Sequence, residues 1–556
     1  MVAVAAVLTF ALIVTRPFTT YSTDEGAAIL QAQVLDHTGS WIIHDPARRL
    51  DPAGAALPIP KATSGPKGRA PYAKHPLYPL ILLGVFALGG ADAYVVLSAV
   101  ATLVAAVIAG RLARRVDRRA ERMVLWGVAV ASPLLFDAMW VLAHSLAAAT
   151  GAIAALLMVG ALEEGSHGRL GRVRVVGLLA GSGVAVALTA GLRTEGLVFG
   201  VALGLGGLAW AAQQRRWVLG VGAAAAAFAG AAADRLGERL ASQAILGNGA
   251  GPQPVPEAPG SSSWLSGRIE ALRATLLHPS YATDHRGVLV VGGAVALALA
   301  GLAARRHLPA RTVLAAGALG TLLYGLWFVE GNRFAIPGLL VACPAIGAAV
   351  MGLRRSSLRD PRVLVLAVTA ASCVVGVLLT EYAIGGGNEW GGRYFAVALP
   401  VAAVPLAMAL LSIDRPQRDA LLAGIVGTSL VLGAIALASV RDVHQEGEVV
   451  EASIARCARL AGPPDSPLLD SRPLVVTTKI LLPQGDWQHY DQYEWLAPNA
   501  PDLDTYLSRA AHAGVGSMVL VSTDPAHDLP APGYRQSGSC LDLPTLAVVV
   551  LRIRAA

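Results

Sequence analysis

Two adjacent carboxylates, Asp24 and Glu25, stand a few residues beyond the first apolar run, in Thr19-Thr20-Tyr21-Ser22-Thr23-Asp24-Glu25-Gly26. Ionisable groups close to a bilayer are costly and are kept chiefly where they function. A carboxylate here could take a proton from a hydroxyl as general base, or hold a divalent cation. The same acids also suit a helix start, with Ser22 or Thr23 as cap and negative charge in the first turn; the two roles are compatible. The segment after them closes with Tyr72-Ala73-Lys74-His75-Pro76-Leu77-Tyr78-Pro79. A cation directly before an embedded, proline-bearing run is placed for a lipid phosphate, although Lys74 could equally snorkel to the headgroups.

Further chemistry collects at the ends of later apolar runs. Asp137 and His144 are seven residues apart, which in a continuous helix puts both on one face, as a site pair or a structural hydrogen-bonded pair. Arg193-Thr194-Glu195, then Glu330, Asn332 and Arg333, then Glu389-Trp390-Gly391-Gly392-Arg393-Tyr394 follow in turn, the last preceded by Gly385-Gly386-Gly387. A guanidinium presents a planar fork that matches phosphate. One such arginine is a headgroup anchor; several on one side of a membrane point to a phosphate or diphosphate site. The glycines suit close backbone approach to a ligand, and Trp390 suits stacking on a sugar ring. Trp390 and Tyr394 also fit an interfacial aromatic belt.

The elements that must position these groups are apolar. Of 556 residues, 54% are hydrophobic and 15% charged, where a soluble domain carries about 25% charged residues. A spanning helix needs about 20 apolar residues. Candidate spans lie near 2–16, 92–110, 123–142, 145–161, 175–192, 196–212, 217–233, 287–304, 312–328, 334–351, 362–382, 394–411 and 420–439. The first has no basic flank and no small-residue cleavage site, and reads as a retained helix. Abundant Ala and Gly predict backbones packed closely in lipid. Basic loops (111–122, 169–174, 215–216, 305–311, 354–362, 415–418) alternate with loops poor in arginine if 76–90 does not cross, Arg16 being the mild exception. This predicts thirteen spans, a cytoplasmic N-terminus, and an outer face holding the long loops 17–91 and 234–286. The division predicted is a membrane domain over 1–440 and a soluble outer domain over 441–556. The latter reads as α/β, with strands at 473–478, 517–522 and 545–554 and a helix at 503–513. A lid or partner-binding role is open for it.

The formal charge is +7. Its arginines sit in short loops, where topology explains them, so nucleic acid is not the expected partner. No Walker A, GxGxxG, GxSxG or HExxH pattern occurs, so ATP, NAD and catalytic zinc are not indicated. No cofactor is certain, and a divalent ion at Asp24 is the one metal role left open. Of four cysteines, Cys343 and Cys373 lie in apolar runs. Cys457 and Cys540 lie in the soluble tail and form either a disulfide, if the tail is outside, or two thiols.

The pattern resembles the GT-C membrane glycosyltransferases. The likeness rests on Asp24-Glu25 after the first helix, Lys74-His75-Pro76-Leu77, Ser132-Pro133 with Asp137, and Trp390-Gly391-Gly392-Arg393-Tyr394, in that order and on one side. In this sequence His75 follows the lysine and Leu77 replaces the family's second proline. The resemblance implies an all-α polytopic bundle with a small α/β C-terminal extracytoplasmic domain. It implies Asp24 as catalytic base, helped by Glu25, with Lys74, Arg193, Arg333 and Arg393 toward the donor phosphate; His75, Asp137, His144, Glu195, Glu389, Trp390 and Tyr394 complete the candidate set. The donor implied is a polyprenyl-phosphate sugar, and the acceptor a cell-envelope glycan, lipid or protein outside the plasma membrane. A composition rich in Ala, Arg and Gly suggests a high-GC actinobacterium and with it a decaprenyl-phosphate donor; the resemblance extends to actinobacterial mannosyl- and arabinofuranosyltransferases. A lipid or polymer transporter, or a noncatalytic scaffold for envelope assembly, is the competing class.

Overall fold

In the computed structural model the described residues are 1–16, 20, 23–41, 43–44, 50–51, 56, 69–70, 75–90, 92–165, 169–246, 264–279, 286–380, 390–462, 472–479, 482–523, 532–543 and 546–553. They divide into two compact units. One comprises Met1–Arg16, Asp92–Glu238 and Pro254–Arg441; the other comprises Pro17–Ala91, Arg239–Gln253 and Asp442–Ala556.

In chain order the helices begin with α1 (Val2–Thr15), α2 (Thr23–Thr38), α3 (Leu77–Gly89), α4 (Asp92–Val116), α5 (Ala120–Ala129) and α6 (Leu134–Asp137). They continue with α7 (His144–Glu164), α8 (Arg169–Leu192), α9 (Glu195–Gln214), α10 (Trp217–Leu246), α11 (Trp264–Leu272), α12 (Gly287–Arg305) and α13 (Ala310–Val329). The last are α14 (Leu339–Ala342), α15 (Pro344–Gly352), α16 (Pro361–Thr380), α17 (Leu399–Leu411), α18 (Arg415–Ala461), α19 (Leu482–Gly485) and α20 (Leu503–His512). Among the described residues ten helical stretches are long and apolar enough to cross a membrane, and the chain is a multi-pass membrane protein.

Those ten match ten of the thirteen expected spans. The other three are not single long helices. The first run is the 14-residue α1. The run 123–142 is interrupted between α5 and α6, where Ser132 Oγ donates to the Val128 carbonyl and accepts from Leu134 N–H, just before Pro133. The run 334–351 is extended up to Gly338 and then divided at Pro344, whose ring cannot continue a helix begun before it. The segment expected not to cross, 76–90, forms α3 with 13 residues, about 20 Å at 1.5 Å per residue and short of a hydrocarbon core of about 30 Å.

Small residues let the helices touch. A methyl group at Gly301 in α12 would lie 2.1 Å from the Ala348 carbonyl oxygen in α15, so only glycine permits that approach. Leu297, Ala300, Ala304, Val313, Ala348 and Leu421 fill the core around it.

In the second unit, β1 (Ile43–His44) pairs antiparallel with β2 (Arg69–Ala70). A five-stranded sheet is built from β3 (Leu474–Thr477), β4 (Glu494–Leu496), β5 (Ser517–Ser522), β6 (Tyr534–Leu543) and β7 (Leu546–Ile553), in the order β4-β3-β5-β7-β6. The β4-β3-β5 pairings are parallel and the β5-β7-β6 pairings antiparallel. The three strands and the helix expected in the tail are all present, within two residues at their ends. The sequence reading omitted β4 and β6. β6 is an edge strand with two bulges, mostly exposed, so it carries little apolar pattern.

Residues of the first long loop enter this sheet's core. Leu50 and Ala56 pack with Leu474, Val476, Leu507 and Val549. Between them the buried Asp51 accepts from Ala56 N–H at 2.7 Å and from Tyr506 O–H at 3.0 Å. Cys457, near the end of α18, is disulfide-bonded to Cys540 of β6 across 83 residues. Closing a loop of that length removes unfolded-state entropy, so replacing both cysteines by serine costs this unit about 2–5 kcal/mol. Limited proteolysis of the full chain with and without reductant checks this; equal rates contradict it.

Candidate functional site

The helical unit brings several of the named groups together. α8 ends at Leu192 and α9 begins at Glu195, leaving Arg193 and Thr194 as the turn. Arg193 closes back on the carboxylate, with Nε donating to Oε2 at 3.1 Å and Nη2 to Oε1 at 2.8 Å. Both side chains are almost wholly buried, at 13% and 3% exposure. The fork is therefore a desolvated, bidentate pair.

Arg393 and Tyr394 open the short 3₁₀ turn Arg393–Ala398 that leads into α17, and both are buried. The Arg193 and Arg393 guanidiniums lie 5.9 and 5.4 Å from the Tyr394 ring centroid, at cation–π distance. Asp137, the last residue of α6, is 2% exposed and feels the charge of both Arg393 and Arg193. Its Oδ2 is buried with no hydrogen-bond partner among the described residues. Two guanidiniums, two carboxylates and a phenol thus share one buried pocket of charge, supplied by three separate parts of the chain.

The turn that delivers Arg393 depends on glycine. Gly391 and Gly392 have φ of +64° and +58°, and a methyl group on Gly391 would meet Pro133 at 2.3 Å. Gly391 N–H donates to the Ile336 carbonyl at 2.7 Å, so the extended segment before α14 holds this turn. Trp390 is buried and stacks on Phe136 at 5.3 Å with a 17° interplanar angle. A cavity of about 20 Å³ is lined by these rings with Ser132, Cys343 and Ser429. That volume admits about one water and no sugar ring.

His144 is buried at the start of α7. It is not on one helical face with Asp137, because 138–143 separates α6 from α7; Trp140 is buried there with its ring 4.6 Å from Phe136. Arg333 is exposed, and Glu330 faces Arg286 at 3.6 Å. In the second unit Asp24 and Glu25 occupy the first turn of α2, Asp24 half-buried and Glu25 buried. That placement satisfies the helix-start reading and leaves the base reading open. His75 is half-buried just before α3. Lys74 and Glu389 lie outside the described residues. The stacking of Phe136 under Trp390 has no counterpart in the sequence reading; a single aromatic inside an apolar run carries no signal by itself.

Neither a family profile nor a curated protein sequence matches the chain. Solved structures do. The chain is similar to ArnT from Cupriavidus metallidurans bound to undecaprenyl phosphate, with TM-score 0.53 and 12% identity, over 99% of this chain and 97% of that one. The apo form of the same ArnT gives TM-score 0.47 and 16% identity over 99% and 96%. The Archaeoglobus fulgidus oligosaccharyltransferase in complex with Zn and sulfate gives 0.46 and 14% over 96% and 72%. These neighbours are GT-C membrane glycosyltransferases, and the likeness to the first establishes the same fold over nearly the whole of both chains.

Proposed function

We propose that this multi-pass membrane protein, which has the fold of the GT-C glycosyltransferases, moves a sugar from a polyprenyl-phosphate donor to a cell-envelope glycan, lipid or protein on the outer face of the plasma membrane. The observation that carries the reading is the buried Arg193–Tyr394–Arg393 arrangement with Asp137 inside such a bundle. Guanidiniums fixed in a desolvated place stabilise charge that develops on a leaving phosphate, because they need not reorganise as it forms. Arg193 and Arg393 take that role, with Lys74 and Arg333 as outer phosphate contacts. Asp24, helped by Glu25, removes the proton of the acceptor hydroxyl as it attacks the anomeric carbon. One displacement inverts that carbon. The solved ArnT carries undecaprenyl phosphate, which is consistent with a lipid-phosphate donor. The disulfide Cys457–Cys540 favours an extracytoplasmic tail, since such bonds persist in oxidising compartments.

The interruptions at 130–133 and 334–344 favour a second reading, since transporters also use broken helices. One experiment separates them. Purified protein in nanodiscs is supplied with synthetic polyprenyl-phosphate pentoses and hexoses and with envelope extract from a deletion strain. Sugar-dependent release of polyprenyl phosphate, with the matching glycan lost from the deletion strain by mass spectrometry, supports transfer. Lipid movement across vesicles without transfer supports the transporter.

A further inference from the structure

The soluble unit holds a second cluster of ionisable groups that the proposed transfer does not use. Glu451 on the C-terminal part of α18, Asp486 just after α19 and His489 in the following 3₁₀ turn Trp487–Gln492 converge. One ligand atom from each lies within 4.8 Å of the others. His489 Nδ1 is 2.6 Å from Asp486 Oδ1. Asp486 is 1% exposed, and its second oxygen, Oδ2, is buried without a hydrogen-bond partner among the described residues. A buried, half-satisfied carboxylate is costly unless a cation completes it. Burial pushes the Asp486 carboxyl above its ordinary range, and the hydrogen bond to His489 offsets this only in part. Glu448 adds further negative charge beside Glu451. An imidazolium would balance one carboxylate of the trio; a dication would balance both and let the imidazole stay neutral as a ligand.

We infer that Glu451, Asp486 and His489 form a structural site for a divalent transition cation, of which zinc is the natural probe. Two oxygens and one imidazole nitrogen are a ligand set that zinc accepts, with water in the fourth place. Ligands about 2.1 Å from one ion span at most about 4.2 Å, so a closure on the order of 1 Å completes the site. The site ties the end of α18 to the turn after α19. That turn in turn supports the helix of the first carboxylates: α2 packs on α19 and on the turn Trp487–Gln492, Thr20 Oγ donates to the Gly485 carbonyl at 3.3 Å, and His37 faces Asp491 at 3.6 Å. The cation would thus fix the platform on which the helix bearing Asp24 rests.

The test uses the full chain, purified without a histidine tag. Elemental analysis after zinc loading and gel filtration is expected to give one zinc per chain. Chelation is expected to lower the unfolding temperature, and zinc to restore it. Asp486→Asn and, on the half-buried helix surface, Glu451→Gln should each lose both the bound zinc and the response to chelator. Zinc below a tenth per chain in the unsubstituted protein, or zinc retained equally by Glu451→Gln and by His489→Ala, overturns the inference. These readouts do not involve sugar transfer, so they stand or fall apart from it.

Discussion

Replacing Arg193 by alanine is expected to lower the stability of the helical unit by about 3–5 kcal/mol, the cost of leaving a buried partner charge uncompensated. Glu195 has no water to turn to: its side chain is 3% exposed and both its oxygens receive Arg193. The same arithmetic predicts that removing both charges is much gentler. A buried pair replaced by apolar residues of similar volume is often neutral in stability, so Arg193→Met with Glu195→Leu should unfold close to the unsubstituted protein. Transfer, by contrast, should be lost in the single and the double variant alike, because the buried guanidinium charge assigned to the leaving phosphate is gone from both. Arg193→Lys keeps the charge but not the planar fork, and is expected to fold better than the alanine variant while transferring poorly. Thermal unfolding in detergent together with the nanodisc assay separates the effects. A double variant that transfers sugar at full rate would make the pair a staple between α8 and α9 and leave the donor phosphate to Arg393.

Asp24→Asn is expected to reduce kcat by about 10²–10⁴-fold, the usual contribution of a positioned general base. Its effect on folding should be small. Asp24 lies half-exposed in the first turn of α2, and losing its charge there removes an attraction to the helix dipole of about 0.3–1 kcal/mol. The shape of the side chain is kept, so donor binding should be unchanged. A rate loss without a stability loss identifies the base; equal kcat in the two proteins removes Asp24 from the mechanism. Glu25→Gln is the control, since Glu25 is the buried member of the pair. A larger rate loss there would assign the proton to the second carboxylate.

Much of the architecture was legible because lipid imposes simple rules. Ten expected spans correspond to ten long apolar helices, since a run of Ala, Val and Leu in hydrocarbon can satisfy its backbone only as helix. β3, β5 and β7 were legible as Val and Leu runs bounded by polar turns, and α20 as an amphipathic helix with Leu503, Tyr506, Leu507 and Ala510 on its buried face. Arg193, Arg393 and Tyr394 were named from residue type at helix ends, yet nothing local showed that both arginines face the same phenol. Arg333 has the same local signature and is exposed, where Arg393 is buried.

What the sequence by itself determined is what depends on neighbours in the chain: which stretches are apolar and which ionisable residues stand at their ends. The breaks at Pro133 and Pro344 lie inside runs expected to be continuous spans, because hydropathy summed over a window passes over a single proline. What only the tertiary structure decided is what depends on packing between separate elements of the chain. The stretch 138–143 has neither proline nor glycine, yet it separates α6 from α7 with Trp140 buried against Phe136. Asp137 meets guanidiniums from two distant turns, and Glu451 meets Asp486 and His489 across a loop. Propensity and hydropathy are sums over adjacent residues. The desolvation that makes these charges consequential exists only once the chain has closed around them.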